Sequence, residues 1–321
     1  MILSVSRRTD IPAFYSDWFI QRLKEGFLYV KNPINPHQVS KIPLSPEVVD
    51  CIVFWTKNPA NIIERLGCFK DYMHYFQFTL TGYGKDIEPN VPDKRDMLEI
   101  FKRLSKKIGK ERVIWRYDPI FLSKRYTVEY HLKAFGEIAS SLSGYTKKAV
   151  ISFVDFYANT KRNMKGIGVE VFTPDGMVKL AKDIAHIASR HHITVEACAE
   201  EMDFGEIGVS PGSCIDQKLV ESLLGCKIDA KKDKNQRGAC RCIESVEVGA
   251  YHTCLNGCKY CYANFNEKKV EETVKGYDVD SPILCGEIKE GDVVTYRKAT
   301  SLKDMQVCLT DFDKNFGRKG F

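Results

Sequence analysis

The residues most able to do chemistry in this chain are its cysteines. There are 12 in 321 residues, and their placement is uneven. Cys51 and Cys68 stand alone in the first 197 residues, whereas five crowd into the window of Cys240, Cys242, Cys254, Cys258 and Cys261. The sequence around Met1 has no basic stretch followed by an apolar one, so no export signal is expected. A cytoplasmic, reducing compartment follows as the expectation, and there clustered thiols hold metal or do redox chemistry rather than pair as disulfides. Cys254-Leu-Asn-Gly-Cys258-Lys-Tyr-Cys261 spaces three thiols four and three residues apart, with Asn256-Gly257 supplying a tight turn. Soft thiolates select zinc, copper(I) or iron–sulfur. Structural zinc takes four protein ligands and a [4Fe–4S] cluster has four irons, so three cysteines leave one iron open.

These residues need a scaffold, and the first 200 residues alternate short β-rich runs with helical periodicity. Strands are expected at 2–6, 51–55, 75–81, 112–116, 149–154 and 193–197. Each is nearly continuous in apolarity, as in a parallel sheet covered on both faces. Helices are expected at 14–25, 61–66, 94–108, 128–142 and 175–191, with a further one at 264–274. A seventh strand at 244–250 would carry the cysteine run just past its C-terminal end. Repeated βα units of this kind predict an α/β fold, a TIM-like parallel (β/α) barrel of about seven strands. Residues 1–285 would form the barrel, including the cysteine-rich loop at 240–265. Residues 286–321 would form an extension with an edge strand or hairpin at 293–297.

C-x3-C-x2-C with an aromatic before its last cysteine, here Tyr260, resembles the signature of the radical SAM superfamily. Phe54-Trp-Thr-Lys-Asn-Pro59, Ile87-Glu-Pro89 and Arg116-Tyr-Asp-Pro-Ile120 resemble segments of its spore photoproduct lyase-like branch. The whole chain also resembles an uncharacterised bacterial family with a radical-SAM-like cysteine cluster near its C-terminus. The resemblance implies that Cys254, Cys258 and Cys261 ligate a [4Fe–4S] cluster whose fourth iron binds S-adenosylmethionine. It implies reductive cleavage of that cofactor, hydrogen abstraction from substrate, and an electron donor such as flavodoxin or ferredoxin. It also puts the Tyr260 segment near the adenine. In the superfamily the cysteine loop follows the first strand, but here it follows the last, which a circular permutation would reconcile. The strand at 2–6 would then lie beside that at 244–250. A glycine-rich element that holds the cofactor's amino group is replaced by Ser6-Arg-Arg-Thr-Asp10. Asp10 or Thr9 would accept from the amino group, and Arg7 or Arg8 would pair with the carboxylate.

Other residues remain open. Lys57, Arg116 and Asp118 fall at strand C-termini, where barrels build their sites. They would touch cofactor or substrate, or Arg116 and Asp118 would form a salt-bridged turn. Cys198 ends the strand expected to close the barrel beside the cluster strand; there it is a hydrogen-atom donor, a ligand of a second cluster, or a small core residue. Glu196 points into the barrel or pairs with a lysine. Cys240 and Cys242 precede a strand of about six residues, roughly 20 Å long, and so should lie away from the cluster. They form a separate metal site with Cys214 or Cys226, or stay free thiols. A zinc knuckle completed by His252, Cys240 or Cys242 is the structural alternative for the loop. Two other functions stay in play: a zinc-stabilised nucleic-acid-binding or repair-associated protein, and an iron–sulfur electron carrier or redox sensor. Net charge of +6 gives nucleic acid little support. No membrane partner is expected, because no apolar run reaches about 18 residues.

Overall fold

A computed structural model describes residues 1–202 and 204–304. Continuous apolar runs form the strands of one parallel sheet: β1 (Ile2–Val5), β4 (Cys51–Thr56), β5 (His74–Thr79), β6 (Val113–Ile120), β8 (Lys148–Phe153), β10 (Thr194–Cys198), β11 (Val209–Gly212) and β12 (Val246–Glu247). Two further strands, β2 (Phe27–Lys31) and β3 (Gln38–Pro43), pair antiparallel, and β13 (Val293–Tyr296) adds parallel to β3. The short β7 (Leu122–Ser123) and β9 (Val169–Glu170) pair with each other.

The sheet runs β11-β10-β8-β6-β5-β4-β1-β12, so from β1 onward spatial order follows chain order without a reversal. Winding in one direction puts the crossover helices on one face, unlike a doubly wound sheet, which switches direction. Residue alternation along the strands shows this. Leu3, Phe54, Phe76, Phe78, Trp115 and Ile151 share the large core that also buries Phe19, Phe101, Phe135 and Leu180 of the helices. Those helices are α2 (Ser16–Glu25), α4 (Lys94–Ile108), α5 (Val128–Leu142) and α7 (Pro174–Ser189). Phe101 stacks on Phe78 with ring centroids 5.0 Å apart, and Phe135 on Trp115 at 4.6 Å. Asp93, Thr127 and Thr173 cap the N-termini of α4, α5 and α7.

The alternate residues, Ile2, Cys51, Val53, Tyr75, Ile114, Val150 and Cys198, pack on the other face against Ile215, Ile228, Ile243 and Val220 of α8 (Gln217–Leu224). Short helices α1 (Ile11–Phe14), α3 (Ala60–Ile63), α6 (Ala158–Asn163) and α9 (Glu267–Val274) complete the fold. Among the described residues, no helix is long and apolar enough to cross a membrane.

The expected barrel does not close. Its two edge strands, β11 and β12, are not paired to each other. An unforeseen eighth strand, β11, takes the outer edge of β10, so Cys198 does not lie beside the strand that leads into the cysteine loop. That strand, expected over 244–250, shrinks to Val246–Glu247, because only Leu3 and Ser4 of β1 face it in register. The β1 neighbour itself is as expected. Helix 14–25 is broken at Tyr15, whose backbone leaves the helical region to bury a hydroxyl that donates to the Thr253 carbonyl at 2.6 Å. β6 runs on through Asp118-Pro119 by a register shift after Tyr117. The 293–297 strand forms, at β3. Residues 305–321 of the expected extension, with Cys308, lie outside the described residues.

Candidate functional site

The loop after β12 is fixed before its first cysteine. The Glu247 carboxylate accepts from Ser4 Oγ at 2.8 Å, from the Arg7 and Gly249 amides at 3.0 Å, and from Ser6 Oγ. One carboxylate thus ties the loop after β1 to the loop after β12. Gly249 is required there, since a Cβ would collide with the Ser6 side chain.

The cysteine run 254–261 is then clamped through its backbone. Asn90 donates to the Leu255 carbonyl at 2.8 Å by its side chain and to the Asn256 carbonyl by its amide. The Lys259 amide donates to the Ile87 carbonyl at 2.9 Å, and Asn264 Nδ2 donates to the Cys254 carbonyl at 2.8 Å. Gly257 sits at φ +68°, and a Cβ there would press Pro89 Cγ at 3.0 Å. Asn256 reaches inward to the buried Asp10 carboxylate at 3.0 Å. Asp10 also accepts from the Lys57 amide at 2.7 Å and caps α1 at the Ala13 amide. Its oxygens therefore position the loop; they already hold three protein donors.

Beneath the loop lies a buried charge centre. Glu88 pairs with Lys57 Nζ at 2.8 Å and with Lys94, and accepts from Thr81 Oγ1 at 2.9 Å and from the Tyr260 hydroxyl. Burial alone would raise the Glu88 pKa, but the two ammonium groups hold it down to about 2. Lys57 also lies over the Tyr260 ring, 5.4 Å from its centroid, and its charge is felt at Cys258. Lys57 and Tyr260 are thus joined through Glu88, a residue whose role the sequence did not disclose.

Cys254, Cys258 and Cys261 are electrostatic neighbours. Burial chiefly, and then one another's charge, raise them to about 12, about 12 and about 11. Such thiols deprotonate readily only against a compensating cation, which is what a thiophilic metal centre supplies. Among the described residues, no three His, Cys, Asp or Glu side chains already surround a common point as a formed metal site. Arg7, Thr9 and Trp55 each bury a side-chain polar atom without a hydrogen-bond partner: Nη2, Oγ1 and Nε1. The Tyr262 hydroxyl, one residue after Cys261, donates to the Arg7 carbonyl at 2.9 Å and so ties the backbone of the 6–10 segment to the loop. Arg8 instead lies over Tyr251 and reaches the Gly249 carbonyl at 3.4 Å.

Arg116 is turned the other way. Its guanidinium pairs with Asp118, as the salt-bridged reading expected, and also donates to Gln77 Oε1 at 3.4 Å and to Cys214 Sγ at 2.8 Å. Arg7 and Arg116 both lie over Trp55, each 5.2 Å from its ring. Glu196 pairs with Lys148 at 2.5 Å. Cys198 Sγ lies 3.0 Å from Cys214 Sγ, and both share one buried cluster with Cys240 and Cys242. Cys240 and Cys242 are free thiols that lie with Cys214, one of the partners expected for them, and Cys198 is in the same cluster.

Residues 2–263 match a family described as "Domain of unknown function (DUF1848)". No curated protein matches the chain.

Proposed function

The chain belongs to the DUF1848 family, a domain of unknown function, and we propose that it is a radical SAM-type enzyme whose Cys254, Cys258 and Cys261 hold a [4Fe–4S] cluster. The observation that carries the reading is a half-buried loop clamped by its backbone, with three neighbouring thiols. The donor set fits: three thiols for three irons, Arg7 Nη2 for a carboxylate, and Thr9 Oγ1 for an amino group. Bound there, the cluster and S-adenosylmethionine would supply reductive cleavage of that cofactor and hydrogen abstraction from a substrate.

The chain's own residues orient and exclude. Asp10, Asn256, Asn90 and Ile87 fix where the three thiols point. Of the two acceptors that the sequence offered for the amino group, Asp10 is engaged by the protein, so Thr9 takes that role. The Lys57–Glu88–Lys94 centre with Tyr260 fills the space under the loop and keeps water from Cys258. The placement of β12 beside β1, ahead of an otherwise sequential sheet, supports a partial, circularly permuted barrel with its site at the C-terminal strand ends. A flavodoxin- or ferredoxin-type protein would deliver the electron.

Anaerobically reconstituted protein with dithionite and S-adenosylmethionine should form 5′-deoxyadenosine, and Cys258→Ala should form none. Absence of that product from iron-loaded wild-type protein overturns the proposal. Arg7→Ala should keep its iron but weaken the response to S-adenosylmethionine 10- to 100-fold, about the 1.5–3 kcal/mol of a charge-assisted hydrogen bond. An EPR signal indifferent to S-adenosylmethionine would favour an electron carrier.

A further inference from the structure

We propose that Cys198, Cys214, Cys240 and Cys242 form a second metal site, a four-thiolate centre for one thiophilic divalent ion, zinc by its spacing. The proposal does not depend on the radical reading of the other cysteines.

The four residues come from three separate segments. Cys198 is the last residue of β10, Cys214 follows β11 by two residues, and Cys240 and Cys242 lie six and four residues before the start of β12. β10 and β11 lie at one edge of the sheet and β12 at the other. The thiols therefore meet where the two unpaired edges must be brought together. Few backbone bonds do this: the Ile243 amide donates to the Ile215 carbonyl at 3.2 Å, beside an Ile215 amide that donates to Cys242 Sγ at 3.4 Å. A metal held by all four thiols would join the edges that hydrogen bonding leaves open.

The surroundings suit an anionic centre. One divalent ion with four thiolates carries a net charge of about −2, because binding releases the four thiol protons to solvent. Arg116 Nη1 lies 2.8 Å from Cys214 Sγ, and the Arg7 guanidinium acts on both Cys214 and Cys242. An N–H donor and a guanidinium already point at sulfur, as ligand thiolates require.

Spacing selects the ion. A tetrahedral centre with metal–sulfur bonds of about 2.3 Å separates its sulfurs by about 3.8 Å. Cys198 and Cys214 stand at 3.0 Å, with Cys240 and Cys242 in the same buried cluster. A thiol pair this close matches the edge of a four-thiolate tetrahedron better than the wider spacing around a four-iron cube.

The test uses the full chain with Cys254, Cys258 and Cys261 all changed to alanine, so that only the second group can bind. Purified under reducing conditions, this protein should contain one zinc per chain. With cobalt(II) in its place, it should show the intense visible bands of a tetrahedral four-thiolate complex. Adding Cys214→Ala should remove the zinc; adding Cys51→Ala, which alters a buried cysteine outside the group, should not. Because Cys214→Ala might unfold the chain, thiols are also counted in the background protein with and without a chelator, which should expose four more to a thiol reagent. No zinc and no chelator effect, or a Cys198–Cys214 disulfide in freshly reduced protein, overturns the site. Iron and acid-labile sulfide in place of zinc overturn the single-ion reading.

Discussion

The two thiol groups, the loop cysteines and the cluster of Cys198, Cys214, Cys240 and Cys242, are built on opposite plans. The loop group is local: three cysteines within eight residues, with neighbours that bind the loop's carbonyls and amides rather than its sulfurs. The second group spans 45 residues of chain from Cys198 to Cys242, and its sulfurs are held by Cys198–Cys214 contact, Arg116 and the Ile215 amide. On the two proposals, the loop would be a presenting device and the second group a fastening between distant segments. A bound group would gain chemistry in the first case, and the fold would gain closure in the second.

That contrast breaks first under reciprocal deletion, where the effects are all-or-none. Cys258→Ala should abolish iron loading and leave zinc at one per chain; Cys242→Ala should abolish zinc and leave the loop's iron in place. Metal analysis of the two variants, reconstituted in parallel, decides this. Loss of both metals in either variant would show one interdependent site rather than two.

The next largest effect distinguishes the anchors. The loop rests on a buried carboxylate with two ammonium partners, so Glu88→Gln leaves Lys57 buried beside an amide. Removing one partner of such a pair costs about 3–5 kcal/mol. Chemical denaturation at pH 7 should show that loss, with iron loading reduced alongside it. The pH dependence has a fixed sign. The folded-state pKa of Glu88, about 2, lies below its usual 4.5, so its contribution is fully present above about pH 4.5 and is lost as pH falls toward 2. The wild-type protein should lose stability more steeply than the Gln variant over that window. Equal slopes would place the anchor elsewhere.

The same division explains what was legible in the sequence. Parallel strands covered on both faces announce themselves as short apolar runs, which is why β1, β4, β5, β6, β8 and β10 stand close to where periodicity puts them. α4 and α5 match because each has a capping Asp or Thr before a 3.6-residue apolar pattern. β11 was not legible: Val209-Ser-Pro-Gly212 is a strand only because β10 offers an edge. The barrel's failure to close was hidden for the same reason, since closure is decided by which edges meet rather than by any one segment. The loop thiols were legible as a spacing. Glu88 was not, because its partners Lys57, Thr81, Lys94 and Tyr260 come from four parts of the chain. Nor was the contact of Cys198 with Cys214, which depends on β11 being present.

The finest cut compares one glycine near each group. Gly257 lies inside the loop at a left-handed φ of +68°, with Pro89 Cγ and Asn90 Nδ2 within 3.2 Å of where a Cβ would stand. Gly238, two residues before Cys240, has no atom within 4 Å of its added Cβ and no left-handed φ. If the loop is a rigid presenting device, Gly257→Ala should cost about 1–2 kcal/mol in backbone strain alone. It should lower iron occupancy more than stability, because Pro89 and Asn90 must move and Asn90 holds the Leu255 and Asn256 carbonyls. Gly238→Ala should change stability by less than about 0.5 kcal/mol and leave zinc stoichiometry intact, since a fastening of touching sulfurs depends little on the backbone beside it. Thermal unfolding with metal analysis of both variants measures the contrast. Equal and small effects would mean that the loop, too, is shaped by what binds it.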